Sequence, residues 1–358
     1  MKILHVSNFS QKHNGRLFYN IAPKLTNGFT RNGHNVLNFS DRDIARSSTI
    51  YGGGVLGKKK CNERFIETCK NYHPDIICLG HADIISSLSL EEVKNFLKDT
   101  KVIQWNVDHL AEGTPDNKDN IKRILSKVNV VDATFVTCSA GKNLEKIKGK
   151  YSKAYFIPNP TDRSIESKEI FLLDNFEFDL FFAISHGVGR GRLKFGKKDE
   201  RENEILFLME RLPNIKFNLF GMFGKQPVWG SAFMDELEKC SMGLNLTRGV
   251  PTYLCSSDRL PAYAGNGLLT FIDRRTSFNQ LYTEKELVFY DNRDELSDKI
   301  KFYKNNRKES RDIAERGWSR SHRSYNETII TKYIIERTMG MNFSSDYEWP
   351  TEPNLDEN

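Results

Sequence analysis

The densest concentration of ligand-binding chemistry lies between His186 and Lys198, where four glycines and the cations Arg190, Arg192, Lys194, Lys197 and Lys198 share thirteen residues. Glycines leave backbone N–H groups open and the cations surround them with positive charge, a combination suited to the diphosphate of a nucleotide. The plainer alternative is a solvated basic loop. Two shorter groups repeat the theme. Thr247-Arg248-Gly249 follows an apolar run, and Ser256-Ser257-Asp258-Arg259 precedes a helical pattern, where a hydroxyl or carboxylate also serves as an N-cap. Three cationic or hydroxylated stretches in one half of the chain argue for a phosphorylated nucleotide more strongly than any one of them. The first half carries different chemistry: His13 in Ser7–Arg16, His81 in Gly80–Asp83, and Asp108 with His109 after Trp105. Asp and His can take a proton from a hydroxyl when they stand within hydrogen-bond reach of it. Taken singly, each has a capping or packing role as its plainer reading. Together they mark an acceptor-binding, deprotonating side.

Other patterns carry less. Gly52-Gly53-Gly54-Val55-Leu56-Gly57-Lys58-Lys59 matches G-x-x-x-x-G-K, but Lys59 stands where a Ser or Thr should meet Mg²⁺, so a mobile basic loop is expected. Asp41-Arg42-Asp43 has the D-x-D form that holds a metal on a nucleotide elsewhere, yet its place after an apolar run favours a turn or helix cap. No G-x-G-x-x-G follows the first apolar run, and no zinc spacing, H-E-x-x-H or G-x-S-x-G is present.

These residues need elements to hold them. Short apolar runs alternate with amphipathic stretches throughout. Strands are expected at Lys2–Val6, Asn35–Phe39, Ile76–Leu79, Val102–Trp105, Ala133–Thr137 and Ala154–Ile157. Helices are expected near 16–32, 62–71, 90–98 and 118–128, with Pro23 kinking the first or marking its true start and Gly33 ending it. After Pro158-Asn159-Pro160 and a polar connector the rhythm restarts. Strands are expected at Phe178–Ser185, Phe217–Phe220, Met242–Leu246, Leu268–Ile272 and Val288–Tyr290, with helices at 201–211, 234–239, 259–265, 296–305 and 327–338. Such alternation implies parallel sheets covered on both faces. The expected architecture is α/β: two Rossmann-like doubly wound domains facing a central cleft. Residues 1–158 form the first, completed by a returning helix at 327–341; residues 159–326 form the second; 342–358 are expected to be a loosely held acidic tail. In parallel sheets ligands bind beyond the carboxyl ends of the strands, which is where the chemistry listed above falls.

Composition narrows the function. The chain has 358 residues, 28% of them charged, and no apolar stretch long enough for a spanning helix. Its six cysteines form no C-x-x-C pair, as expected of buried thiols in a reducing cytoplasm. Residues 1–160 carry 24 Lys+Arg against 15 Asp+Glu, whereas the remainder carries 29 against 32. A basic first half points to an anionic partner, a membrane surface or an anionic glycan, or to a solvated face alone. Nucleic acid is not expected, because no recognisable module for it is present.

The second half resembles the nucleotide-sugar domain of group 1 glycosyltransferases of the GT-B fold, in particular the CgeB-like branch. The resemblance rests on Lys239–Thr247, on the helix–glycine–strand signature from Asp258 to Asp273, on the ending Phe278–Tyr303, and on the linker-like Ile157-Pro-Asn-Pro-Thr-Asp162. It departs at Tyr253 and Pro261, where many relatives carry glutamates, so the carboxylate that holds the donor's sugar or ribose is either missing or supplied elsewhere, with Asp258 as the candidate. Arg259 matches the arginine of the CgeB-like pattern. The resemblance implies sugar transfer from a nucleoside diphosphate sugar to a glycan or lipid-linked acceptor in surface polysaccharide or lipopolysaccharide assembly, with no cofactor and no bound metal. Arg190, Arg192, Lys194, Arg248, Ser257, Asp258 and Arg259 would bind the donor. Asp108, with His13, His81 or His109 as rivals, would take the acceptor's proton. The expected location is cytoplasmic, peripheral to the inner membrane face. A nucleotide-sugar epimerase and a non-catalytic nucleotide-sugar binder are the alternatives.

Overall fold

The computed structural model describes residues 1–49, 54–114, 116–138, 141–149, 152–185 and 200–352. They form two compact units, Met1–Pro160 with Asn326–Asn358, and Thr161–Tyr325.

The first unit is built from β1 (Lys2–Ser7), α1 (Ile21–Arg31), β2 (Asn35–Ser40), α2 (Asp41–Ser47), α3 (Gly54–Tyr72), β3 (Ile76–Gly80), α4 (Ser87–Phe96), β4 (Lys101–Asn106), α5 (Asn117–Leu125), β5 (Ala133–Val136), α6 (Gly141–Ile147) and β6 (Lys153–Phe156). Its six strands lie in the order β2-β1-β3-β4-β5-β6, every pair parallel. The β3 strand is buried along its whole length, as a strand covered on both faces must be. Pro23 proves to be the third residue of α1, in the first turn where its missing N–H costs nothing. Gly33, at φ +80°, ends the helix. Lys58 and Lys59, expected in a loop, lie instead in α3, which begins at Gly54. Gly52 and Gly53 of that motif fall outside the described residues.

The second unit contains β7 (Phe178–Ala183), α7 (Arg201–Arg211), β8 (Phe217–Phe220), α8 (Ser231–Glu238), β9 (Cys240–Asn245), α9 (Arg259–Ala264), β10 (Leu269–Asp273), β11 (Val288–Tyr290), α10 (Arg293–Asn305) and α11 (Arg307–Ser324). Its sheet runs β11-β10-β9-β7-β8, also parallel. The 18-residue α11 has no counterpart among the expected elements. Its buried face is made of Ser310, Ile313, Ala314, Gly317, Ser321 and Ser324, too polar and small to register as an apolar stripe. The helix docks by close approach instead. A Cβ at Gly317 would overlap the Glu286 carbonyl, and Arg320 donates from Nε and Nη2 to the Leu281 carbonyl at 3.1 and 2.9 Å.

The last helix, α12 (Glu327–Met339), returns to the first unit and packs on α1. Asn326 caps it, its side chain accepting from Ile329 N at 2.9 Å. Gly28 allows the contact, since a Cβ there would overlap the Glu327 carbonyl. Asn32 Nδ2 donates to Thr328 O at 2.8 Å and to Thr331 Oγ1 at 2.9 Å. The segment after α12 is not loose through residue 352. Tyr347 and Trp349 pack on Tyr333 at ring separations of 4.9 and 5.3 Å, Trp349 is 5% exposed, and Tyr347 OH donates to Glu336 Oε2 at 2.6 Å. Among the described residues no helix is long and apolar enough to cross a membrane. Cys61, Cys69, Cys78 and Cys240 are buried thiols.

Candidate functional site

In the first unit, register brings the strand exits into one line. Ser7 pairs with Gly80 and Gly80 with Trp105, so the residues that follow β1, β3 and β4 emerge side by side. Gly80 permits this packing, for a Cβ there would overlap the Trp105 indole and stand 2.8 Å from Ser7 Oγ. Past Gly80 the chain turns sharply, with His81 and Ala82 at φ +60° and +28°, a conformation that non-glycine residues adopt only when their surroundings hold them in it.

That turn delivers His81 to Asp108. The Nε2 of His81 lies 3.4 Å from Asp108 Oδ2 and is itself fully buried, while the Asp108 side chain is 42% exposed. Arg123, from α5, donates to both carboxylates of the cluster: Nε stands 2.8 Å from Asp83 Oδ1 and Nη1 3.1 Å from Asp108 Oδ2. Arg42, from α2, pairs with the other oxygen of Asp83. Asn120 fixes Arg123 from one turn earlier, its Oδ1 accepting from Nη1 at 3.1 Å, while its amide donates to the His109 carbonyl at 3.0 Å. Asn106 Nδ2 donates to the Asp108 carbonyl at 3.1 Å. The result is a carboxylate open to solvent on one side and held on the other by a guanidinium and a pinned backbone, with the His81 ring beside it, its Nε2 without a hydrogen-bond partner among the described residues.

Burial lowers the His81 pKa, against the pull of Asp108, so the ring is neutral at physiological pH. Burial works against ionised Asp83 too, but Arg42 and Arg123 outweigh it and hold that carboxyl below its ordinary value. Below the cluster, Asp41 is fully buried and raised by desolvation. Lys127, also buried, is lowered by desolvation, with Asp83 and Asp41 opposing.

His13 lies elsewhere. It closes a short 3₁₀ turn, Gln11–His13, after β1, and its pKa is lowered by partial burial and then by Lys12, Arg16 and Arg46. The structure therefore joins His81 to Asp108 and leaves His13 beside α2. The D-x-D acids do structural work, as their position after β2 implies. Asp41 Oδ2 accepts from Ile84 N at 3.1 Å, and Asp43 accepts from Gln11 N at 2.9 Å, Lys12 N at 3.4 Å and Ser40 Oγ at 2.5 Å.

In the second unit the exits of β7 and β9 are adjacent, and Arg259, at the start of α9, spans them. Its guanidinium donates to Ala183 O at 3.5 Å and to Leu246 O, and lies 5.4 Å from the centre of the Phe182 ring. Ser257 Oγ donates to Asn245 Oδ1 at 2.7 Å and accepts from Arg259 N at 3.4 Å. Asp258 and Arg248 are exposed on the same edge. Gly249 N, next to Arg248, donates to Glu200. Arg190, Arg192 and Lys194 lie outside the described residues.

Arg42, Arg123, Asn120 and Asn245 are absent from the sequence-based set. Asn245 ends β9, is 1% exposed, and its Nδ2 has no hydrogen-bond partner among the described residues. Arg123 sits in an amphipathic helix with no local mark of its role. An Asn at a strand's last position was the one readable signal.

The sequence profile of a family described as glycosyl transferase-like matches residues 201–334. Comparison with curated protein sequences finds no match. Among solved structures the chain is similar to HepE from Anabaena in complex with UDP and glucose, at 14% identity and a TM-score of 0.55, covering 95% of this chain and 100% of that one. It is similar to sucrose-phosphate synthase from Thermosynechococcus elongatus, at 11% identity and a TM-score of 0.57, covering 95% and 99%. A glycosyltransferase from Rickettsia africae aligns at 9% identity and a TM-score of 0.58, covering 96% and 99%. At these identities the likeness shows the fold: two Rossmann-like parallel-sheet units, as in glycosyltransferase structures of the GT-B type.

Proposed function

We propose that this chain is a glycosyltransferase that moves a sugar from a nucleoside diphosphate sugar to a hydroxyl of a glycan or glycolipid acceptor, in surface polysaccharide or lipopolysaccharide assembly, and that it belongs to the CgeB-like branch. The observation that carries the reading is where the glycosyl transferase-like match falls. Residues 201–334 include nearly all of the second unit from α7 onward, whose sheet edge holds Arg259, Ser257, Asn245 and Arg248. In the proposed reaction Arg248, Arg259 and the basic stretch Arg190–Lys194 neutralise the leaving diphosphate, Ser257 and Asp258 hold the donor, and no metal is required. Charge placed where the transition state develops it lowers the barrier without reorganisation. Asp108 takes the acceptor proton, because it is the exposed member of its cluster. Cationic Arg123 fixes its orientation, with the His81 ring packed beside it. The +9 balance of residues 1–160 supports an anionic or membrane-held acceptor at the cytoplasmic face.

A thermal-shift series with UDP, GDP, ADP, CMP and dTDP, with and without EDTA, tests the donor site. One nucleoside diphosphate at a hundredfold its Kd should raise the midpoint by roughly 5–10 °C, unaffected by EDTA. The rise should vanish in Arg248→Ala, an exposed site whose loss leaves the fold intact, and in Arg259→Ala. If no nucleotide shifts the midpoint, the donor site is wrong.

A further inference from the structure

The two helices after β2 project from the first unit. Just past the end of β2, Cys61 Sγ meets Asp41 O at 3.3 Å, which sets Cys61 level with the strand exits. One turn further out, Gly57 lies so close to α2 that a Cβ there would stand 2.4 Å from Ala45 O. The pairing of Asp41 with Cys61 and of Ala45 with Gly57 makes α2 and α3 antiparallel, so residues 54–60 of α3 stand beyond the sheet edge. At the usual helical rise they carry the start of α3 about 10 Å past it. Asp108 emerges from the same edge, after β4.

This projection is apolar and cationic at once. Val55 and Leu56 are 87% and 56% exposed, and Lys58, Lys59 and Lys60 are exposed beside them. No acidic residue lies between Asp43, which is buried, and Glu63. Lys59 reaches Glu63 at 3.9 Å, an exposed pair of small worth, and no ion pair holds Lys58 or Lys60 among the described residues. Leu88, 73% exposed, opens α4 on the same edge, where Asn62 Nδ2 donates to Ile84 O at 2.8 Å and Asn62 Oδ1 accepts from Ser86 N at 2.9 Å. A solvated basic face accounts for the lysines but not for two bare aliphatic side chains within the same two turns. A nucleic acid or another polyanion would leave those side chains bare as well.

We infer that this projection docks the protein on an anionic lipid bilayer. Val55 and Leu56 enter the boundary between headgroups and acyl chains, and the lysine ammonium groups take the lipid phosphates, their stems lying along the apolar surface. The dimensions agree. Interfacial segments bury their apolar side chains roughly 5–10 Å deep, and the projection is about 10 Å long, so the strand exits come to rest at headgroup level. The docking stands on this surface alone. Its use, which is to bring the edge that carries Asp108 to a lipid-held acceptor, rests on the transferase reading above.

The test is co-sedimentation of the full chain, without nucleotide, with vesicles of phosphatidylcholine alone and of phosphatidylcholine mixed with phosphatidylglycerol. Binding to the anionic vesicles is expected to exceed binding to the neutral ones at least about tenfold. Lys58→Ala/Lys60→Ala should lower it about tenfold, and Val55→Ser/Leu56→Ser by about the same factor. Lys98→Ala/Lys153→Ala removes the same charge at the opposite edge, after α4 and at the start of β6, and should change it less than about twofold. The substituted side chains are all exposed, so the variants should keep the parent's thermal midpoint. No binding to anionic vesicles, equal binding to both kinds, or binding that survives either variant of the projection would each overturn the inference. So would an equal loss in the opposite-edge variant. Self-association that Val55→Ser/Leu56→Ser abolishes, in place of vesicle binding, would overturn it too and give the surface to a second copy. The nucleotide-induced thermal shift, measured without vesicles, fails separately if the transferase reading is what is wrong.

Discussion

Arg123 ties the first unit's site together with two ion pairs, one to Asp83 and one to Asp108. Asp108→Asn should lower acceptor-dependent release of nucleoside diphosphate by roughly 10²–10⁴-fold, as loss of a general base does, with the nucleotide-induced thermal shift intact. Arg123→Met should lower the same rate about tenfold or more, because Asp108 loses the guanidinium that pins its carboxylate. A second residue prediction concerns His5, which does no chemistry. It is buried in β1, its Nε2 accepts from Trp105 Nε1 at 3.2 Å, and its Nδ1 stands 2.9 Å from Thr26 Oγ1, which donates to Asn38 Oδ1 at 2.9 Å. Burial pushes its pKa down to about 3. The unfolded chain binds this proton below pH 6.5 and the folded chain does not, so stability falls as pH drops from 6.5 toward 3, by at most about 1.4 kcal/mol per pH unit. In His5→Gln, whatever its neutral-pH midpoint, that part of the acid slope should disappear from pH-dependent thermal melts.

At the scale of elements, two helices are placed by glycine. Gly28 lets α12 lie on α1, and Gly317 lets α11 lie against the Glu286 backbone. Gly28→Val must push α12 away from α1 or distort one of them, and should cost about 1–3 kcal/mol by thermal or urea unfolding. Thr30→Ala, on the exposed face of α1, should stay within about 0.5 kcal/mol. Close approach is what brings the Asn32 side chain to α12 and joins Arg31 to Glu327, so the same substitution should weaken those contacts as well.

Over the whole molecule, charge and chain order divide the work. The first 160 residues are cationic and carry the Asp108 cluster, while the remainder is net acidic and carries the family match. The chain's end then belongs to the first unit, anchored by Tyr333 OH and Arg337 Nη2, which donate to Thr351 O at 3.0 and 2.8 Å. Deleting residues 342–358 removes Phe343, Tyr347 and Trp349 from around Tyr333. Calorimetry should register a loss of about 3 kcal/mol or more, comparable to deleting one buried Trp. The nucleotide-induced shift should persist. An unchanged midpoint would mean that the packing adds nothing.

The sequence by itself determined the strands and the exits. The eleven strands among the described residues can be located from short apolar runs: inner strands such as β3 are buried on both faces and apolar along their length, while the edge strands β2 and β8 keep only part of that pattern. The strand ends in turn located His81 and Asp108, since side chains just past a parallel strand emerge at the ligand-binding edge, and the start of a helical pattern located Ser257 and Arg259. The tertiary structure alone decided which of these meet. His81 and Asp108 are 27 positions apart and touch because β3 and β4 pair in a register that fixes their exits. His13, equally plausible by type, follows a strand from which the chain turns toward α2. Arg123 and Asn120 were invisible because a polar residue on an amphipathic helix looks the same whether it faces water or a carboxylate. The α11 helix was missed because it packs through backbone proximity and small side chains, which leave no apolar period. In sequence the closing aromatic segment reads as a tail, because its acids mask three rings whose partner, Tyr333, lies across a turn. Local pattern encodes what each residue exchanges with water; which distant group it meets is set by strand order, register and helix docking.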